Sequence, residues 1–146
     1  MLRSVLLAIL IGVTAAGCSS ETPAEHNFSL VSTGMTREHM SRLLGIPWKT
    51  DLSFKPSGYL ALMKKDRLDN VYKPAEGRPG VWYDVSSSEF AALGLRAGAS
   101  IADVEASLGQ PASECSLYYV NDVIGLKVCF KAGRVLSKNK YHLPII

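Results

Sequence analysis

Residues 31–47 read VSTGMTREHMSRLLGIP, and residues 95–111 read LRAGASIADVEASLGQP. Displaced by 64 residues, the two stretches align without a gap. Val31, Gly34, Thr36, Met40, Leu44, Gly45 and Pro47 fall opposite Leu95, Gly98, Ser100, Val104, Leu108, Gly109 and Pro111. The shared spacing is that of a short capped helix. Thr36 and Ser100 are N-cap residues whose hydroxyls accept a free backbone N–H of the first turn, and Asp103 sits where a carboxylate favours the positive helix end. Met40 with Leu44, and Val104 with Leu108, are i,i+4 pairs on one face. Gly45 and Gly109 occupy the position after the helix that takes a left-handed backbone, and Pro47 and Pro111 stop continuation. Each stretch predicts about two helical turns, too few to persist unless packed on something else.

Working outward, the chain after Pro111 predicts a three-stranded antiparallel meander over 115–120, 126–131 and 134–140, with Ala132 and Gly133 as a tight turn. After Pro47 the pattern is ambiguous. Tyr59 to Met63 fits a strand, whereas Leu60, Met63, Leu68, Val71 and Tyr72 fit a rough helical face, so 51–80 stays open. Residues 73–80, KPAEGRPG, predict a loop, 81–85 a strand, and 88–93 a short helix capped by Ser88. The expectation is an α+β fold of two related units, each with short capped helices packed on an antiparallel sheet. The first unit spans 28–87 and the second 88–146.

The chain has 146 residues, 47% hydrophobic and 20% charged, with a formal net charge of +3. That charge is too low and too dispersed for a nucleic-acid partner. No apolar run reaches the ~20 residues of a membrane-spanning helix. The start, MLRS followed by an apolar run over 5–13, has the form of a secretory signal peptide covering 1–17. Thr14, Ala15, Ala16 and Gly17 before Cys18 resemble a bacterial lipobox. That resemblance implies cleavage before Cys18 and acylation of its sulfur and amine, including palmitate, which gives stable membrane attachment without a spanning helix. Ser19 in second place, by the same resemblance, implies the periplasmic face of the outer membrane. Residues 18–27 then read as the lipidated Cys and a polar, flexible tether.

With Cys18 assigned to lipid, Cys115 and Cys129 remain in a compartment that permits disulfides. Pairing of the 115–120 and 126–131 strands about Asp122 sets the two opposite each other. A cross-strand disulfide is the first reading, and two free buried thiols the second. No motif of nucleophilic, metal or phosphate chemistry occurs, and His26, His39 and His142 are dispersed. The expectation is therefore no enzyme, no cofactor, no metal and no small-molecule substrate. Trp82 and Tyr83, with Lys131, Arg134 and Lys138 on the meander, are the candidate partner surface. The alternatives are core filling for aromatics such as Trp48, Tyr118 and Tyr119, and edge protection for the basic residues.

A lipoprotein that carries Gly34-Met35-Thr36 followed by Leu44-Gly45-Ile46-Pro47 resembles the SmpA/OmlA family of small outer-membrane lipoproteins, the BamE-like group. The tandem arrangement also resembles the β-lactamase inhibitor proteins. The shared positions are caps and turns, so the resemblance implies architecture and a non-enzymatic binding role, and carries over no partner-contacting residue. It implies a scaffold or assembly factor that binds another envelope protein. The alternative is a tethered inhibitor of a periplasmic or cell-wall hydrolase, with 51–80 as the plug.

Overall fold

The computed structural model describes residues 22–143, so the expected signal peptide (1–17), Cys18 and Ser19 lie outside the described residues. In chain order the elements are α1 (Pro23–Leu30), α2 (Arg37–Leu44), β1 (Lys49–Ser53), β2 (Leu60–Lys64), β3 (Arg67–Pro74), β4 (Trp82–Asp84), α3 (Ser87–Ala92), α4 (Ile101–Leu108), β5 (Ser113–Tyr119), β6 (Ile124–Lys131) and β7 (Arg134–His142). The fold is α+β, with one antiparallel sheet of seven strands in the order β4-β3-β2-β1-β5-β6-β7.

The two capped helices form where their spacing places them. Thr36 Oγ1 accepts the His39 N–H, and Ser100 Oγ accepts the Asp103 N–H while the Asp103 carboxylate accepts the Ser100 N–H in return. Gly45 and Gly109 end them at φ of 75° and 88°, backbone that a side chain would strain. Behind each helix the strands correspond as well. β1 and β5 begin 64 residues apart; beyond them the correspondence runs at 67. The turn residues Lys65 and Asp66 match Ala132 and Gly133, all four left-handed, which is the geometry of a two-residue hairpin turn. The register slip at Leu62/Met63 matches the one at Cys129/Phe130.

Each helix packs on the strands that follow the other one. Gly34 N–H and Val135 N–H bond to Val135 O and Met35 O, joining the α2 stretch to β7. Gly98 N–H and Leu68 N–H bond to Leu68 O and Ala99 O, joining the α4 stretch to β3 in the same pattern. Val104 of α4 is buried with Leu52, Ala61, Met63, Leu68 and Val71 of β1–β3, together with Phe90 of α3. Met40 of α2 and Phe28 of α1 are buried with Tyr118, Leu126, Val128, Phe130 and Val135 of β5–β7. The expected division at 87/88 is therefore a boundary in sequence only, because neither stretch holds a core of its own.

Several local expectations are corrected. The tether does not run to Asn27: Thr22 and Glu25 close a capping box that starts α1 at Pro23, and Phe28 is buried. Residues 51–80 hold no helix and carry most of β1 and all of β2 and β3: Ala61 and Met63 face the core at strand spacing, and Leu68 and Val71 face it on either side of the register slip at Asp69. Lys73 and Pro74 belong to β3, where Pro74 pairs with Trp82 of the edge strand. The helix after β4 is capped by Ser86, not Ser88, since Ser86 Oγ accepts the Glu89 N–H. The expected 81–85 strand shrinks to Trp82–Asp84.

Candidate interaction surfaces

All four helices lie on one face of the sheet, and no helix among the described residues packs on the other. Strand alternation with the pairing register lays out that second face row by row. One row crosses β2, β1, β5, β6 and β7 as Leu62, Asp51, Cys115, Cys129 and Ser137. The next holds Lys64, Lys49, Leu117, Lys127 and Asn139. The third is aromatic across a glycine: Tyr119, Gly125 and Tyr141. A Cβ on Gly125 would lie 2.3 Å from the Tyr141 ring, so only glycine lets that ring lie flat across β6. Trp48, just before β1, stacks on Tyr119 with ring centroids 4.7 Å apart and planes 12° from parallel.

The disulfide is present: Cys115 and Cys129 are cross-strand partners joined by an S–S bond on this uncovered face. Their counterparts in the first stretch, Asp51 and Leu62, also pair directly. Lys49 lies 3.6 Å from Asp51, and Lys64 lies 3.5 Å from Asp69. The face is thus apolar and aromatic in patches, with lysines between them.

The covered face holds one polar seam where the two halves of the core meet. Glu114, 2% exposed, accepts Arg37 Nε at 2.9 Å and Arg37 Nη2. Arg37 also lies 3.5 Å from Glu105, and its guanidinium carbon sits 5.9 Å from the Phe130 ring centroid. Thr50 and Ser116 share a buried hydroxyl hydrogen bond of 2.8 Å. Burial pushes the Glu114 carboxyl above the ordinary carboxylate range, with Arg37 pulling against it. Clefts of about 430 Å³ and 260 Å³ flank Arg37, and neither is lined by histidine or cysteine. Among the described residues no three His, Cys, Asp or Glu side chains converge to hold a metal ion. The seam ties α2 to β5 and β1 to β5 through buried polar contacts.

The sequence-predicted partner residues do not form one patch. Trp82 and Tyr83 lie on β4, at one edge of the sheet, whereas Lys131, Arg134 and Lys138 lie on β6 and β7 at the other. Six strand spacings, about 29 Å, separate the two edges. Trp82 and Tyr83 are exposed on opposite faces of β4. Arg134 donates to Gly34 O, and Lys138 donates to Phe28 O and Ser29 O at the end of α1. These two cations therefore tie the chain together, a use that charge counting does not reveal. Tyr118 is core, its hydroxyl 2.8 Å from Met40 Sδ.

Sequence reasoning missed Tyr141 and Gly125 as part of the aromatic platform. The signal lay in the pairing register, which sets Tyr119, Gly125 and Tyr141 in line once β5–β7 are aligned. No family model, curated protein or solved structure matches the chain.

Proposed function

We propose that this chain is a non-enzymatic lipoprotein of the SmpA/OmlA, BamE-like kind, anchored at the periplasmic face of the outer membrane through Cys18. In this reading it is a scaffold or assembly factor that binds another envelope protein through the uncovered face of its sheet. Its architecture is two related units, each a capped helix followed by a three-stranded meander, with the helices exchanged between them. The observation that carries the reading is the one-sided sheet. Leu62, Tyr72, Leu117, the disulfide and the Trp48–Tyr119–Tyr141 platform share a face that no helix covers, beside the exposed edge residue Trp82. Apolar and aromatic patches on an otherwise uncovered sheet face support a partner-binding role.

The inhibitor alternative drew its plug from 51–80. Much of that segment is built into the sheet as β1–β3, and what remains irregular is two short connections, 54–59 and 75–80. The scaffold reading therefore stands first. Its test places a photocrosslinking residue at Leu62 or Leu117 on the open face and, as a control, at Ala106 on the exposed side of α4, in lipidated protein in intact cells. The expected result is one envelope protein captured from both open-face positions and not from Ala106. Capture independent of position, or of a soluble hydrolase alone, overturns it.

A further inference from the structure

The sheet has two ends. At one of them lie the β5–β6 loop, the β2–β3 turn and the start of β1, and three of the exposed large apolar residues cluster there: Ile46 (68% exposed), Tyr119 (56%) and Val123 (49%). Ile46 sits in the turn between α2 and β1, Tyr119 ends β5, and Val123 is at the tip of the loop that follows. β1, β5 and β6 are neighbours, so all three residues lie at this end of the sheet, Ile46 toward the helix side and Tyr119 toward the open face.

The chain enters at this same end. Thr22 caps α1 through Glu25, and the Glu25 carboxylate lies 3.5 Å from Lys140 Nζ near the end of β7. Leu143, whose N–H bonds to Val123 O, lies here too, and the residues next in sequence, Pro144, Ile145 and Ile146, are apolar. Cys18 is four residues before Thr22, a reach of about 14 Å when fully extended. The strands run farther than that: β3, eight residues long, carries the chain about 25 Å from this end to Pro74, where Trp82 pairs.

We propose that this end, through Ile46, Tyr119 and Val123, seats on the lipid surface to which Cys18 is anchored. The inference rests on the anchoring read above. A short tether brings the three apolar side chains to the bilayer at high effective concentration. Stacked aromatics such as Tyr119 and Trp48 suit the interfacial zone, where one edge is apolar and the other wet. At this end Lys49 pairs with Asp51 and Lys64 with Asp69, and Lys65 and Arg67 are matched in number by Asp66 and Asp122, so the proposed contact is apolar and a zwitterionic surface suffices. Seated this way, the molecule stands with its strands leaving the membrane. The Tyr119 end of the open face then meets lipid, while the rest of that face, with Leu62, Tyr72 and Leu117, and the β4 edge remain accessible to a partner.

The two tryptophans of the chain are built-in reporters at opposite ends, Trp48 at the seated end and Trp82 at the far one. The full-length protein, purified from membranes with its Cys18 mass measured, is reconstituted into phosphatidylcholine vesicles with brominated acyl chains, which quench at short range. In Trp82→Phe, Trp48 is the sole reporter; in Trp48→Phe, Trp82 is. The expected result is quenching of Trp48 at least about twofold greater than that of Trp82, and loss of the difference when Ile46 and Val123 become Asp in the Trp82→Phe background. Both aspartates replace exposed side chains, so the fold is kept. Acylated protein with equal quenching at the two tryptophans, or with Trp48 unquenched, overturns the seating and leaves the anchor standing. Absence of acyl mass on Cys18 overturns the anchor and the seating together.

Discussion

The stretch from Gly34 to Pro74 and the stretch from Gly98 to the end of β7 have the same backbone plan and different side-chain chemistry. They share capped helices of eight residues ended by left-handed glycines, a register slip at the same place, and a hairpin closed by two left-handed residues. They differ where side chains answer to a neighbour. Arg37 opens α2 where Ile101 opens α4, Glu114 stands where the first stretch has Thr50, and the disulfide replaces Asp51 and Leu62. Positions dictated by backbone geometry are kept, while positions that meet a partner element or solvent have diverged. The exchange of helices explains how the two can differ yet remain bound together, since each supplies the other's core.

The sharpest way to break that comparison is to cut the chain at the 87/88 boundary. Each fragment then exposes the apolar face that the other's helix covers. Fragments 18–87 and 88–146 produced apart are expected to lack cooperative unfolding, and mixed together to recover it, as circular dichroism during thermal melting would register. A self-sufficient fragment would mean that the exchanged packing contributes little.

Next in size is the polar seam. Arg37→Ala leaves the Glu114 carboxylate buried without its cation, a loss of about 3–5 kcal/mol of stability. Replacing the corresponding residue, Ile101→Ala, removes only part of a half-buried side chain and costs about 1–2 kcal/mol. Urea unfolding of the two variants side by side measures the asymmetry, and equal losses would show the seam to be no different from ordinary packing.

The disulfide is the third difference. Its half-cystines lie 14 residues apart in sequence, and in the chain-entropy model a loop of that size contributes about 3 kcal/mol. Cys115→Ala with Cys129→Ala is expected to lower the urea midpoint accordingly while the open face keeps its shape. An unchanged midpoint would locate the stability in the strand pairing alone.

Smaller effects sharpen the shared features. Ser100→Ala and Thr36→Ala each remove a cap and cost about 1 kcal/mol. In α4 the Ser100 backbone N–H, reinforced by the Ser100 side chain, holds the Asp103 carboxyl below its ordinary value. Because the folded pKa is the lower one, this stabilisation is present above pH 4 and fades as pH falls through the folded pKa. Asp103→Asn should therefore flatten the fall in melting temperature below about pH 4; a slope identical to the parent's would remove the capping box from the acid response. Ala132, left-handed at φ 51° in the β6–β7 turn, is strained for a residue with a Cβ. Ala132→Asn, which creates the Asn-Gly pair that such turns favour, should gain about 0.5–1 kcal/mol. A loss measured by thermal melting would mean that the turn is not of this type.

Some of the exposed aromatic surface was legible beforehand, and the reasons for the rest are local. Trp82 and Tyr83 were singled out as aromatic residues and are indeed exposed, but pairing them with Lys131, Arg134 and Lys138 fails because charge counting has no knowledge of strand order. The Cys115–Cys129 register followed from symmetric pairing about Asp122, a local property of one hairpin. The Trp48–Tyr119 stack joins residues 71 positions apart and depends on β1 lying beside β5. The match faded after Pro47 because β1 and β5 keep the offset of 64 but share no side-chain pattern, KTDLS against SECSL, and beyond them the second hairpin is three residues longer, which shifts later counterparts to 67 and hides them from a fixed offset.

The sequence by itself determined the capped helices, the stopping glycines and prolines, the terminal meander and the half-cystine pairing, because caps, turns and short hairpins are governed by residues within a few positions of one another. The tertiary structure alone decided that each helix covers the other stretch's strands, that Arg37 meets Glu114 across 77 residues, and that no helix among the described residues covers the second face of the sheet. Those outcomes depend on which apolar surfaces meet. Hydrophobic attraction is nondirectional, so only the closed chain selects among the partners that the local pattern allows.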